Sequence, residues 1–237
     1  HHVPCLNCFY CHQGDYAQCA TYRKIDTTAG YGFASGGGFA EYIKVPRLVV
    51  ERGLIQIPDH ISYEEAALVE PLNCSLKAVR KAHVKREDSV LILAQGSIGL
   101  ALTQLCVRER PRNIFVTDLV DFKLTLAKQY GAHHTFYSND PQLKEKLLSA
   151  NRGIPPNKCF IAVEHVEAIE QALLTVAGGG KIVFAFDKMK EHELLIDPHL
   201  ISNKEIDIIG SYSSDFAVHD ESAQLVFSHT IDMRDMV

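Results

Sequence analysis

Cys5, Cys8, Cys11 and Cys19 stand at C-x2-C-x2-C-x7-C spacing near the start of the chain. Fifteen residues carrying four thiols can fold into one loop whose sulfurs converge on a single tetrahedral ion. Zinc is the usual occupant of such a site, being borderline-soft and without a geometric preference of its own. Four protein ligands leave no open position for a substrate, so the metal would be structural. Two disulfides or four free thiols are the competing readings. The other three cysteines, Cys74, Cys106 and Cys159, stand singly in apolar or helical contexts, which is cytosolic usage and argues against disulfides.

With 237 residues, 46% of them hydrophobic, the chain can build one large or two modest globular domains. The net charge of −5 is mild, and no Lys/Arg run offers a nucleic-acid surface. No apolar run approaches the roughly 18 residues that cross a membrane, and no secretory signal is visible. Cytoplasmic location is the expectation. The chain opens on His1 and stops at Val237, and it reads as the internal part of a longer protein.

Up to about Ser75 the pattern suggests short strands and loops. A glycine-rich turn, Ser35-Gly36-Gly37-Gly38, precedes an alternating segment over residues 39–45 that suits a half-buried strand, and Pro46 and Pro58 punctuate the next segments. Ser62 and Glu65 form a capping box for a helix from Tyr63. Beyond Ser75 the rhythm changes. Helices are expected over residues 76–82, 98–107, 122–130 and 166–176. Buried strands are expected over 89–93, 113–117, 159–163, 181–186 and 206–210. Strands alternating with helices imply a parallel, doubly wound α/β sheet of Rossmann type.

Ala94-Gln95-Gly96-Ser97-Ile98-Gly99 falls between the first buried strand and its helix, where a G-x-G-x-x-G fingerprint belongs. Gly96 would let the backbone approach a pyrophosphate, with Ser97 and Ile98 opening the helix whose N–H groups meet the anion. Gly99 would let that helix pack closely on the strand. Alanine replaces the first glycine and is tolerable there at negative φ. Asp118, at the end of the next strand, can accept hydrogen bonds from the adenosine ribose and would repel a 2′-phosphate, which favours NAD over NADP. Lys123 lies close by and joins the cofactor-binding candidates.

These residues resemble the zinc-dependent medium-chain alcohol and polyol dehydrogenases, the group of sorbitol and threonine dehydrogenases. The likeness rests on His1-His2-Val3-Pro4-Cys5 with the cysteine lobe, Gly37-Gly38-Phe39-Ala40-Glu41-Tyr42, Val69-Glu70-Pro71-Leu72, the dinucleotide turn, and residues 206–211. It implies a partial GroES-like, β-rich catalytic domain over 1–74, a Rossmann domain over 75–210, and a return to the catalytic domain over 211–237. It also implies hydride transfer between a secondary alcohol, polyol or sugar-like, and NAD, with a catalytic zinc polarising the alcohol oxygen. The cysteine and Gly-His-Glu ligands of that zinc lie upstream of the cysteine lobe in the family and have no counterpart here. His1 and His2 occupy an ordinary strand of the family and are not substitutes. Glu70 is left as the candidate catalytic carboxylate and zinc ligand, with an exposed helix-end glutamate as the plainer reading.

The chain departs from the family at Ala162-Val163-Glu164-His165 and around Ala185-Phe186, both beside the expected nicotinamide site; His165 reads foremost as a surface-loop histidine. Gly178-Gly179-Gly180 reads as a turn, His133-His134 as loop residues after the Gly131 stop, and Cys106 and Cys159 as core. Residues 210–212 end a strand that in the family lies near a subunit interface, which makes a homodimer or homotetramer the expected assembly. Neither nucleic acid nor membrane is expected as a partner. A non-catalytic dinucleotide-binding module is the alternative function, should the chain be complete as it stands.

Overall fold

The computed structural model describes residues 3–21, 41–43, 45, 47–186, 194–232 and 234–236. Its centre is a six-stranded parallel sheet in the order β3-β2-β1-β4-β5-β6. The strands are β1 (Ser89–Leu93), β2 (Asn113–Asp118), β3 (His134–Tyr137), β4 (Lys158–Ile161), β5 (Lys181–Phe184) and β6 (Asp207–Gly210). The order reverses between β1 and β4, which opens a crevice at the carboxyl ends of these strands.

Period-2 geometry sorts each strand between two cores. Val90, Ile92, Ile114, Val116, Phe160 and Val183 enter one core, while Leu91, Leu93, Phe115, Cys159, Ile161 and Ile182 enter the other. Both faces are therefore covered, and this is why β1 reads as an unbroken apolar run. Helices α4 (Val69–Ala82), α5 (Ser97–Glu109), α6 (Asp121–Gln129) and α10 (His219–Phe227) supply the first core. Helices α7 (Leu143–Ala150) and α8 (Val166–Thr175) supply the second, with α9 (Pro198–Lys204) packing Leu200 against it. Burying each Leu, Ile or Val side chain contributes about 1.5–3 kcal/mol.

The segment before the sheet differs from its expected strands and loops. Its described residues form helices α1 (Phe9–His12), α2 (Arg47–Arg52) and α3 (Tyr63–Ala67), and no described residue before Ser89 lies in a strand. Residues 41–43 are irregular, so the strand expected over 39–45 is not formed by them; residues 39, 40 and 44, with the glycine turn at 35–38, lie outside the described residues. The capping box is present, Ser62 Oγ accepting from Glu65 N–H and Glu65 Oε2 from Ser62 N–H. Helix α4 begins seven residues earlier than its sequence pattern suggested, because Leu68 ends α3 and starts α4 without a break, and it runs uninterrupted through Cys74 and Ser75.

His134 is not a loop residue: it opens β3 and stacks on Phe115 of β2 at 5.0 Å. His133 just before it exchanges two bonds with Ile114, its N–H donating to Ile114 O (2.9 Å) and its Nδ1 accepting from Ile114 N–H (2.8 Å). Burial, reinforced by the Lys128 charge, pushes both imidazoles below their ordinary range, and burial does the same to His219. All three shifts are downward, so at mildly acidic pH the unfolded chain binds more protons than the folded one. The contribution of these three histidines should be full above about pH 6.5, the ordinary histidine value, and should fall below it. The carboxylates held low by their partners, Glu65, Asp140 and Asp232, act only at lower pH. Urea midpoints at pH 7.5 and 5.5 check this; equal midpoints would refute it.

Candidate functional site

In the cysteine lobe, α1 is one turn started by Cys8, whose carbonyl accepts from His12 N–H at 3.1 Å. A 3-10 turn over Tyr16–Gln18 then returns Cys19 to the loop's start, where Cys5 N–H points at Cys19 Sγ at 3.3 Å. The four sulfurs lie within 4.8 Å of one another, with Cys8–Cys11 at 3.5 Å and Cys5–Cys11 at 3.9 Å. A tetrahedral site with Zn–S of about 2.3 Å needs sulfurs about 3.8 Å apart, whereas a disulfide needs about 2.05 Å. None of the seven cysteines forms a disulfide. Backbone N–H groups of Ala20 and Cys11 lower the Cys8 thiol to about 6, and that of Asn7 lowers Cys5. Burial and the neighbouring thiols push Cys11 up to about 12. Four sulfurs at these separations match the tetrahedral donor set of zinc, whose binding would deprotonate the thiols.

The lobe is anchored from α4. Asn73, fully buried, pairs with the Asp215 backbone in both directions, Nδ2 donating to Asp215 O (3.0 Å) and Oδ1 accepting from Asp215 N–H (2.6 Å). Lys77 donates to Tyr212 O at 2.9 Å and Lys81 to Gly210 O at 2.8 Å. Asn73, Lys77 and Lys81 recur every four residues and so share one helix face. The strap they hold places Tyr212 against the cysteine cluster and Phe216 edge-on to Tyr16 at 5.8 Å.

The second site lies at the switch point. Helix α5 starts at Gly96 with no side-chain cap, and its first intrahelical bond runs from Leu100 N–H to Gly96 O. The N–H groups of Ser97, Ile98 and Gly99 are thereby left without helical acceptors. A Cβ on Gly96 would meet nothing within 4 Å, whereas one on Gly99 would lie 2.0 Å from the Ala94 carbonyl oxygen. Ala94 adopts φ +71, against the negative φ expected of an alanine there. The turn needs a left-handed residue and Ala94 takes that role at a cost of about 1–2 kcal/mol. Gln95 locks it from inside: fully buried, its Nε2 donates to Ala94 O at 3.1 Å and its Oε1 accepts from Thr103 at 2.9 Å.

Asp118 ends β2 with both carboxylate oxygens held, Oδ2 by Gln95 N–H (2.6 Å) and Oδ1 by Val120 N–H (2.9 Å); Lys123 Nζ stands 4.0 Å from Oδ2. Each oxygen keeps a lone pair for a further donor. Asp118 and Lys123 line a cleft of about 530 Å³ running from Ala94 to Ser138 and Asn139 after β3. A second cleft, of about 550 Å³, lies on the other side between Ile98, Ala162 and Phe186. Ser138 and Asn139 were missed in the sequence. Their signal is position at the carboxyl end of a strand, and it becomes visible only once β3 is recognised.

A sequence model of zinc-binding dehydrogenases matches residues 97–228, more than half of the chain. The chain belongs to the zinc-binding dehydrogenase family. Among its relatives, galactitol 1-phosphate 5-dehydrogenase of Escherichia coli (strain K12) is 30% identical over 220 residues, covering 89% of this chain and 58% of that protein. D-arabitol-phosphate dehydrogenase of Enterococcus avium is 31% identical over 216 residues, covering 88% and 57%. A zinc-binding dehydrogenase from Sinorhizobium meliloti 1021, solved bound to NADP, superposes with a TM-score of 0.85 at 26% identity, covering 99% of this chain and 66% of that one. The chain thus spans a little under three fifths of the length of these curated relatives.

As a zinc-binding dehydrogenase chain it leaves Glu70 apart from the cysteine cluster. Glu70 is exposed in the first turn of α4 and accepts from Cys74 Sγ at 3.3 Å. Among the described residues the four cysteines are the one group of three or more metal-ligating side chains. Glu70 and Cys74 offer two donors, short of the three protein ligands that a catalytic zinc takes. Cys106 and Cys159 are buried in the two cores, where desolvation raises both thiols. The glycines at 178–180 form the turn before β5, with Gly179 at φ +68. No described helix is long and apolar enough to cross a membrane.

Proposed function

We propose that this protein is a zinc-dependent oxidoreductase that transfers a hydride between a secondary alcohol, polyol or sugar-like, and NAD. The observation that carries the reading is Asp118, buried at the end of β2, its two oxygens oriented by backbone N–H groups beside the uncapped start of α5. In this role Asp118 accepts from the adenosine ribose hydroxyls, the N–H groups of residues 97–99 receive the diphosphate, and Ile98, Ala162 and Phe186 enclose the nicotinamide. A catalytic zinc would supply Lewis acidity at the alcohol oxygen; Glu70 and Cys74 by themselves fall short of its ligand set. Glu70 is the one residue proposed here to serve it, from a helix whose Ser75 hydroxyl donates to Ile98 O in α5.

The relatives named for galactitol 1-phosphate and D-arabitol phosphate support the polyol class. Zinc in the cysteine lobe is the second cofactor. The domain division proposed is 1–74, 75–210 and 211–237. Seven cysteines without a disulfide support a reducing, cytoplasmic setting. The open edge of the sheet at β6 supports a homodimer or homotetramer.

Asp118→Ala is expected to weaken NADH binding, read by fluorescence titration, by about tenfold or more, with circular dichroism confirming the fold. The parent should prefer NADH to NADPH, because a 2′-phosphate would face the carboxylate. Equal affinity of parent and variant for NADH, or a parent preference for NADPH, would overturn the assignment.

A further inference from the structure

We propose that His165 grips the diphosphate bridge of the dinucleotide, a role that rests on the cofactor reading above. Among the described residues, the two clefts flanking the switch point share two lining residues, Val163 and His165. Val163 is apolar, so His165 is the one polar side chain common to both. A dinucleotide lying across the crevice has uncharged rings and riboses at its ends and its double negative charge in the middle. The shared wall is where that middle must pass.

The charges along the walls agree with this placement. Lys123 of α6 sits at the adenosine end, 4.0 Å from Asp118 at the end of β2. Glu164, in the loop after β4, and Glu167, on α8, are acidic. His165 is therefore the side chain at the junction able to carry a positive charge, and Ile98 of the α5 turn lines the same cleft. Its ring is already oriented: Nδ1 pairs with Glu167 Oε2 at 2.7 Å. That pairing places a proton on Nδ1 and leaves Nε2 for the ligand, where the imidazolium form donates N–H to a phosphate oxygen. The side chain is 70% exposed, so it is open to a ligand in the cleft. Glu167 acts as a positioning residue that holds the ring.

This loop would supply an anion contact that α5 by itself would otherwise have to make. The helix offers neutral N–H groups; His165 adds a charged donor from the opposite wall.

The test uses ADP-ribose, which contains the diphosphate, and adenosine, which lacks it, with NADH as the full ligand, each titrated calorimetrically into the parent, His165→Gln and His165→Arg. His165→Gln should weaken ADP-ribose and NADH by about tenfold, the scale of one charge-assisted hydrogen bond, and leave adenosine within about twofold. His165→Arg, which keeps a cationic donor, should retain most of the ADP-ribose affinity; a merely structural role would not be rescued in this way. Equal ADP-ribose affinity in parent and His165→Gln would overturn the proposal. So would an equal loss for adenosine, which would assign the ring to stacking on adenine. A parent that binds neither NADH nor ADP-ribose would instead overturn the dinucleotide reading, and the proposal with it.

Discussion

Gly99→Ala is expected to destabilise the protein by about 3 kcal/mol or more and to abolish dinucleotide binding. The added methyl would sit 2.0 Å from the Ala94 carbonyl oxygen and 2.9 Å from its carbon. Both are backbone atoms, so no rotamer change relieves the overlap and α5 must lift from β1. That movement would break the buried lock in which Thr103 donates to Gln95 Oε1 and to Gly99 O, both at 2.9 Å. It would also disturb the Gln95 N–H bond that orients Asp118. Gly96→Ala is the informative partner. Gly96 has φ −75 and open space where its Cβ would stand, so stability should change by no more than about 0.5 kcal/mol. NADH affinity should nonetheless fall by about tenfold, because the methyl would occupy the space through which the diphosphate approaches the backbone. Urea melts and NADH titrations on the two variants separate packing from binding. Equal stability losses, or full NADH affinity in Gly96→Ala, would refute the division of labour between the two glycines.

How much of this could be read in advance depended on where the determining information sits along the chain. Strand β1 and helix α5 were legible because Ser89–Leu93 is apolar on both faces and the glycine turn comes directly after it. Strand β3 was not, because His134–Tyr137 is short and half-polar, and its pairing is set by Phe115 and the His133–Ile114 exchange from β2. Helix α9 carried a readable signal in Asp197, whose side chain caps His199 N–H, followed by Pro198 in the first turn. The positive φ of Ala94 was illegible, since it is imposed by the turn that brings α5 onto β1 and by Gln95 within it. Of the candidate sites, the cysteine cluster and the pairing of Asp118 with the glycine turn were apparent from spacing. The junction at His165 was not, because it depends on the loop after β4 lining both clefts.

The second large effect concerns the cysteine lobe. Cys19→Ser should reduce bound zinc, measured by metal analysis of the purified protein, from about one ion per chain to near zero. Cys19 is fully buried and receives the Cys5 N–H, so its loss removes a ligand and the contact that closes the loop. The consequence should reach beyond the lobe. Tyr212 packs on the cluster and Phe216 on Tyr16, and the strap they belong to is held to α4 by Asn73, Lys77 and Lys81. Lys77 lies buried against the strap, where desolvation lowers its proton affinity and the Asp215 carboxylate counteracts this. If the strap loosens, a desolvated ammonium loses its acceptor, which is costly. Structural zinc contributes folding free energy directly; a loss of about 3–5 kcal/mol would lower Tm by about 10 °C in a chain of this size. Stripping the parent with a chelator should reproduce the shift and zinc should reverse it, whereas Cys19→Ser should respond to neither. A parent preparation that holds no zinc and melts alike with and without chelator would show that the four sulfurs gather without a metal. Hydrogen exchange at residues 211–218 then locates the effect: faster exchange there, with β1 and β2 unchanged, is the signature of a lobe that clamps the strap to α4.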